Sequence, residues 1–200
     1  MMLLLWAATS FVAMVAVLVS LRWLLVAASV LLLGSNLRGG EGRRSNSRFT
    51  NLMCETYNES YARFSKCKLK LLARGRAGVN IHLQLFQVPI DNVWINWSMY
   101  RRYNGYRPFM YNISSNFCKL MENVNQMSFE GLVIRAIMTR SNLNHTCPYN
   151  HDIILDNLEF TDDLLKNLPL PQADYKLQLR FATYKTWRIQ VSAFFVRDEL

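Results

Sequence analysis

Val79-Asn-Ile-His-Leu-Gln-Leu85 and Val93-Trp-Ile-Asn-Trp-Ser-Met99, separated by Pro89-Ile-Asp-Asn92, decide the fold. In the first stretch Val79, Ile81, Leu83 and Leu85 alternate with Asn80, His82 and Gln84. In the second, Val93, Ile95, Trp97 and Met99 share one face, with Asn96 and Ser98 on the other. A two-residue period is the signature of a half-buried strand, and the proline-containing segment between them reads as a turn. Asn104-Gly105 marks the next tight turn, after which Phe109, Tyr111 and Ile113 point inward and Asn112 and Ser114 outward.

The same alternation extends both ways along the chain. Cys67, Leu69 and Leu71 alternate with Lys66, Lys68 and Lys70. Tyr175, Leu177, Leu179 and Phe181 are followed, past a turn at Lys185-Thr186, by Trp187, Ile189, Val191, Ala193 and Phe195. With Phe49–Tyr57 and Ile153–Leu158 this makes about eight strands. One segment has a different period. Phe129, Leu132, Val133, Ala136 and Ile137 recur at helical spacing behind Ser128, a good N-cap, so Ser128–Arg140 reads as an amphipathic helix. Thr161–Asn167 reads as a single helical turn. The expected architecture is a mainly β, immunoglobulin-like antiparallel sandwich with one inserted helix.

Length and composition agree with one domain. The chain has 200 residues, half of them hydrophobic, and a net charge of +9, which excludes a disordered polymer and a multi-domain machine. Residues 1–36 stand apart. From Leu3 to Leu33 the only charge is Arg22. Trp23–Leu33 has the length of a signal-peptide core, with Gly34-Ser35 as the cleavage zone, whereas Leu3–Leu21 has the length of an uncleaved anchor. Arg38, Arg43, Arg44 and Arg48 follow and count against an anchor with a luminal body. A buried cytosolic helix is the third reading. Residues 37–48 form a basic Gly/Ser/Arg linker, residues 49–197 the sandwich, and residues 198–200 a tail. Because Arg22 is the only charge in residues 1–36, the body is basic too, which points to anionic lipid heads, sulfated glycans or acidic partners. Behind a secretory signal, nucleic acid is not an expected partner.

Four cysteines lie past the leader and allow two disulfides in three connectivities. A hairpin turning at Asn58–Tyr61 places Cys54 opposite Cys67, which leaves Cys118 to bridge Cys147 across the helix. Four sequons, at Asn58, Asn96, Asn112 and Asn144, fit the same compartment, and Asn96 and Asn112 fall on faces expected to meet water. The ending Arg197-Asp-Glu-Leu200 resembles an endoplasmic-reticulum retrieval signal, and is equally the polar end of a last strand.

Chemistry is sparse. His145, Cys147 and His151 have spacing that suggests zinc, but a disulfide at Cys147 would remove the thiolate. Asp152 beside His151 has no nucleophile-elbow motif to serve. No cofactor, metal or catalytic residue is expected, and the protein reads as a non-enzyme.

Several segments together resemble a known family: Phe49-Thr-Asn-Leu-Met-Cys-Glu55, Tyr103-Asn-Gly-Tyr-Arg-Pro-Phe109 with Asn112, Cys118-Lys-Leu120, Asn144-His-Thr-Cys-Pro-Tyr-Asn-His-Asp152, and Pro169-Leu-Pro171 with Asp174-Tyr175. The pattern is similar to the large insect family of small secreted proteins of unknown function related to the chemosensory-B proteins. That family is in turn distantly similar to the ganglioside-activator branch of the ML lipid-recognition superfamily. Gln172-Ala173 departs from it where glycine is frequent, at a turn. The resemblance implies a sandwich whose sheets part to admit a lipid, and it brings no catalytic residues.

Two functions follow as expectations. One is a secreted or luminal carrier of a lipid or other hydrophobic ligand, anionic given the basic body. Its wall would include Leu83, Leu85, Ile95, Trp97, Phe109, Tyr111, Leu179 and Trp187, although any sandwich core needs the same faces. The other is a cavity-free module that binds a membrane receptor or channel in chemosensation.

Overall fold

The alternating segments form strands, and their apolar faces are buried against one another in two antiparallel sheets. The computed structural model describes residues 47–125, 128–160 and 170–198. Among them are eight strands: β1 (Arg48–Thr56), β2 (Ala62–Ala73), β3 (Arg76–Leu85), β4 (Val93–Tyr103), β5 (Gly105–Asn116), β6 (Ile153–Glu159), β7 (Ala173–Thr183) and β8 (Thr186–Arg197). Two helices lie between β5 and β6: α1 (Phe117–Glu122) and α2 (Phe129–Met138). One sheet has the order β1-β8-β7-β4-β5 and the other β2-β3-β6. The fold is the mainly β, immunoglobulin-like sandwich. The readings of residues 1–36 as signal or anchor, of nearly all of the linker, of Thr161–Asn167, and of Glu199 and Leu200 lie outside the described residues. No helix among the described residues is long and apolar enough to cross a membrane.

The two sheets are unequal, which explains where the helices sit. Three strands cannot cover five, and α2 fills in over β4 and β5. Phe129 on α2 meets Trp97 edge-on at 6.4 Å and stacks on Tyr111 at 4.3 Å. Ser128 caps this helix as the spacing predicts, its Oγ accepting from the Gly131 N–H at 3.0 Å. The shorter α1 was not anticipated. Its cap is Asn116, whose Oδ1 accepts from the Lys119 N–H at 3.0 Å, and it buries Phe117, Cys118 and Met121.

Both cysteine pairings hold, the first for a different reason from the one read in the sequence. Cys54 bonds Cys67 and Cys118 bonds Cys147. β1, however, pairs with β8 and β2 pairs with β3. Cys54–Cys67 therefore ties one sheet to the other instead of joining two neighbours in a hairpin. Cys118–Cys147 fastens α1 to the loop that leads into β6.

Two facing assignments and one expectation of exposure need correction. Trp187 does not point inward: a register shift between Phe181 and Ala182 sets it opposite Ala182, and it is 39% exposed. The guanidinium of Arg180 lies 4.8 Å from its ring centroid. Ile113 lies opposite Trp97 but on the edge strand β5, where it is 43% exposed. Asn96 is on the outer face as predicted, yet only 5% exposed. Its Nδ2 donates to Asn112 Oδ1, Ser114 Oγ and the Ile113 carbonyl, and its Oδ1 accepts from Ser98 and Arg180. A glycan on that nitrogen would break this network, so Asn96 is not an open acceptor. Asn58, Asn112 and Asn144 are exposed.

Candidate functional site

Between the sheets lies a cavity of about 210 Å³. It forms because the inner faces carry branched aliphatic side chains whose ends do not meet across the gap. β3 contributes Ile81, Leu83 and Leu85, and β8 contributes Ile189, Val191 and Ala193. β7 adds Leu177, Leu179 and Phe181, and α2 closes one side with Val133 and Ile137. Rings line one end, with Phe160 5.1 Å from Phe49 and 4.6 Å from Phe195. The other end reaches Tyr61, Thr183 and Arg188, beside the turns that join β1 to β2 and β7 to β8.

The predicted wall residues separate into three groups. Leu83, Leu85 and Leu179 line this cavity. Ile95 and Trp97, with Leu179 again, line a void of about 30 Å³ beneath the helices, no larger than a water molecule's share of liquid volume. Phe109, Tyr111 and Trp187 line neither. Phe109 packs on Tyr175 at 5.8 Å, Tyr111 is covered by Phe129, and Trp187 faces outward. Tyr61, Thr183 and Arg188 were not anticipated, because no spacing connects a turn near residue 60 with the start of the last strand.

The wall is almost wholly apolar, and that limits its chemistry. An apolar cavity of about 150 Å³ stays dry and admits small hydrophobic molecules, and this one is larger. It is below the roughly 300–1,000 Å³ typical of drug-sized ligands, so a single alkyl chain suits it better than a fused ring system.

The three histidines of the chain lie on or against the loop before β6. His145 and His151 face each other with Nε2 atoms 2.9 Å apart, while His82 reaches Asp152 at 3.1 Å. The Leu85 N–H and His82 hold the Asp152 carboxyl below its ordinary value. The sulfur of Cys147 is committed to Cys118, which closes the zinc reading there. Among the described residues, no three His, Cys, Asp or Glu side chains are grouped as metal ligands.

Tyr149, on the same loop, also lines the cavity and donates its hydroxyl to the His145 carbonyl at 2.6 Å. Burial pushes its hydroxyl from the ordinary 10.0 up to about 12. The folded-state value lies above the unfolded one, so the stability it brings is complete below about pH 10 and is lost as the pH rises through 12. Phenolate absorbance of the native chain minus that of Tyr149→Phe should show one step near pH 12. A step at the ordinary value would show that Tyr149 is open to water.

With this geometry established, the chain can be placed beside known proteins. Residues 95–177 match a family described as protein of unknown function (DUF1091). The match covers less than half of the chain, from β4 to the middle of β7, and takes in most of the segments that carry the family resemblance. No curated protein matches in sequence. A crystal structure of a Niemann-Pick type C2 protein from Japanese carpenter ant is similar at 12% identity, over 78% of this chain and 95% of that one, with a TM-score of 0.30. The fold assignment rests on the two sheets themselves.

Proposed function

We propose that this protein is a non-enzymatic carrier or presenter of a single-chain lipid or comparable hydrophobic ligand. The observation that supports this reading is the apolar cavity between the sheets, in a domain small enough that a gap of about 210 Å³ needs a reason. Leu83, Leu85 and Leu179 are its wall residues predicted from sequence, and Ile81 and Val191 join them. Burying about 12 methylenes contributes on the order of 10 kcal/mol at roughly 0.8 each, against association costs of about 4–15 kcal/mol. A bare tail is thus held weakly, and affinity depends on the head group. The two disulfides and the exposed sequons at Asn58, Asn112 and Asn144 support passage through the secretory pathway, and a role in chemosensation has only the sequence's resemblance to the chemosensory-B pattern behind it.

One observation favours a protein-binding module as the second reading. The outer face of the five-stranded sheet presents Trp94, Trp187, Tyr106 and Phe194 among Lys176 and Arg180, a mixture of aromatic and basic side chains suited to a receptor or channel surface. Native mass spectrometry of protein secreted from insect cells, before and after organic extraction, separates the two. A carrier emerges with a bound mass that extraction removes. Protein that carries no lipid and takes up no fatty acid or phospholipid probe would favour the module.

A further inference from the structure

The two sheets end in four edge strands, β1 and β5 on one sheet and β2 and β6 on the other. An edge strand offers unpaired backbone donors and acceptors to another chain, so folded proteins guard it. Three of the four carry such a guard. β2 alternates Lys66, Lys68 and Lys70 along its length, and the Cys54–Cys67 bond ties β1 to it. β6 is covered by the segment before it. There the Asn142 N–H donates to the Ile154 carbonyl, the Asp156 N–H donates to the Arg140 carbonyl, and Ser141 pairs with Leu155. β5 is different. Pro108 and a register shift between Pro108 and Asn112 interrupt only its first half. Phe109–Asn116 holds no charge, and Met110 and Ile113 within it are exposed. From Asn112 to Asn116 its pairing with β4 is regular. An uncharged edge with exposed apolar side chains invites a second strand. At the centre of this stretch lies the sequon Asn112-Ile-Ser114.

We propose that Asn112 carries an N-linked glycan whose role is to guard the free edge of β5. Support comes from the orientation of its amide. Asn112 Oδ1 faces β4, where Asn96 Nδ2 donates to it at 3.1 Å and Ser98 Oγ lies 3.2 Å away. Oxygen and nitrogen diverge from the carbon of a planar amide, so Nδ2 is turned away from β4, toward the open side of the strand, and Asn112 and Ser114 are both exposed. The other sequons are placed differently: Asn58 follows β1 in a turn, Asn144 lies in the loop before β6, and the Asn96 amide is enclosed on β4. In the transfer, Nδ2 forms a bond to the anomeric carbon of an oligosaccharide carried on a lipid pyrophosphate. The bond from that carbon to the pyrophosphate oxygen breaks, the pyrophosphate leaves with the electron pair, and Nδ2 gives up one proton. A bulky, hydrated sugar beside β5 then keeps the strand of another chain from approaching. The inference rests on passage through the secretory pathway and is independent of what the cavity holds.

The test expresses the native full chain in insect cells beside Asn112→Gln and Ser114→Ala, which remove the sequon at two different side chains, and Ser114→Thr, which keeps it. Glycopeptide mass spectrometry of secreted protein should find sugar on Asn112 in the native chain and in Ser114→Thr. Sedimentation velocity then reads association. The two glycosylated chains should stay monomeric. The two without this sugar should self-associate about tenfold more tightly, with the β5 amides newly protected from hydrogen exchange. Either of them suffices if the other folds poorly. Adding Met110→Lys to Asn112→Gln should restore the monomer, because an edge lysine also keeps strands apart, whereas association caused by poor folding would not be rescued. An unmodified Asn112 in secreted protein, sugar-free variants that stay monomeric, or association that Met110→Lys leaves unchanged would overturn the edge guard and leave the secretory reading intact. A native chain absent from the medium, with no sugar at any sequon in the lysate, would overturn both.

Discussion

Trp97→Ala is expected to destabilise the domain by about 3–5 kcal/mol, and Trp187→Ala by less than about 1 kcal/mol. Trp97 lies on β4, between β7 and β5, with 1% of its surface exposed. Its ring supports Phe129 and hence α2, and its indole N–H donates to Ser115 Oγ at 3.1 Å. Truncation leaves a large cavity where the helices dock and takes the donor away from Ser115. Against a typical stability of about 5–15 kcal/mol, that loss brings the chain close to unfolding at body temperature. Trp187 is 39% exposed on the outer face, so its truncation opens no enclosed cavity, and its cation–π contact with Arg180 is worth about 0.5–1 kcal/mol. Urea midpoints of the two variants check this difference. Equal shifts would mean that the two indoles share one environment, against the register of β7 with β8.

That pair also marks what the sequence could and could not reveal. Both tryptophans occupy the inward phase of an alternating run, and alternation is reliable only while register is unbroken. It is unbroken from Val93 to Trp97, so Ile95 and Trp97 are buried as read. Between Phe181 and Ala182 it slips, and Trp187 turns outward. Strand existence is a local property, set by side-chain period and turn residues, which is why all eight strands were legible. Partnership between strands is not local. Cys54 and Cys67 meet whether β1 and β2 are neighbours in one sheet or face each other across two, so the bond was predictable and the topology was not.

The sites follow the same division. Leu83 and Leu179 were legible as wall residues because an inward apolar side chain on a central strand must border whatever the sheets enclose. Asn96 shows the limit of this logic: its face was correct, but neighbouring Asn112, Ser114 and Arg180 side chains close over its amide. The contact of Arg188 with the Tyr61 ring, at one end of the cavity, joins two residues far apart in the chain. Tyr61 comes from the turn between the sheets and Arg188 from the start of β8, and only the packed structure brings them together. The six-residue α1 is too short to show a helical period, although Asn116 before Phe117-Cys118 and Met121 was a usable signal.

Filling the cavity should weaken binding strongly without harming the fold. Ala193 sits on the inner face of β8, opposite Leu177 on β7 and Leu52 on β1, and its methyl group borders the open space. In a close-packed core, Ala→Phe would cost about 1–3 kcal/mol through overpacking. Here the new ring enters a gap of about 210 Å³, so burial of its apolar surface offsets the strain and Ala193→Phe should keep or raise the urea midpoint. It takes the place of the ligand's tail. Displacing about three methylenes at roughly 0.8 kcal/mol each weakens binding about 50-fold. Leu179→Ala is the opposite change: it widens the space, costs about 2–5 kcal/mol of stability, and should favour bulkier tails. Fluorescent-probe titration and urea denaturation of both variants give the comparison. If Ala193→Phe binds the probe as tightly as the native chain, the ligand does not lie between the sheets, and the outer face around Trp94 and Trp187 becomes the surface to investigate.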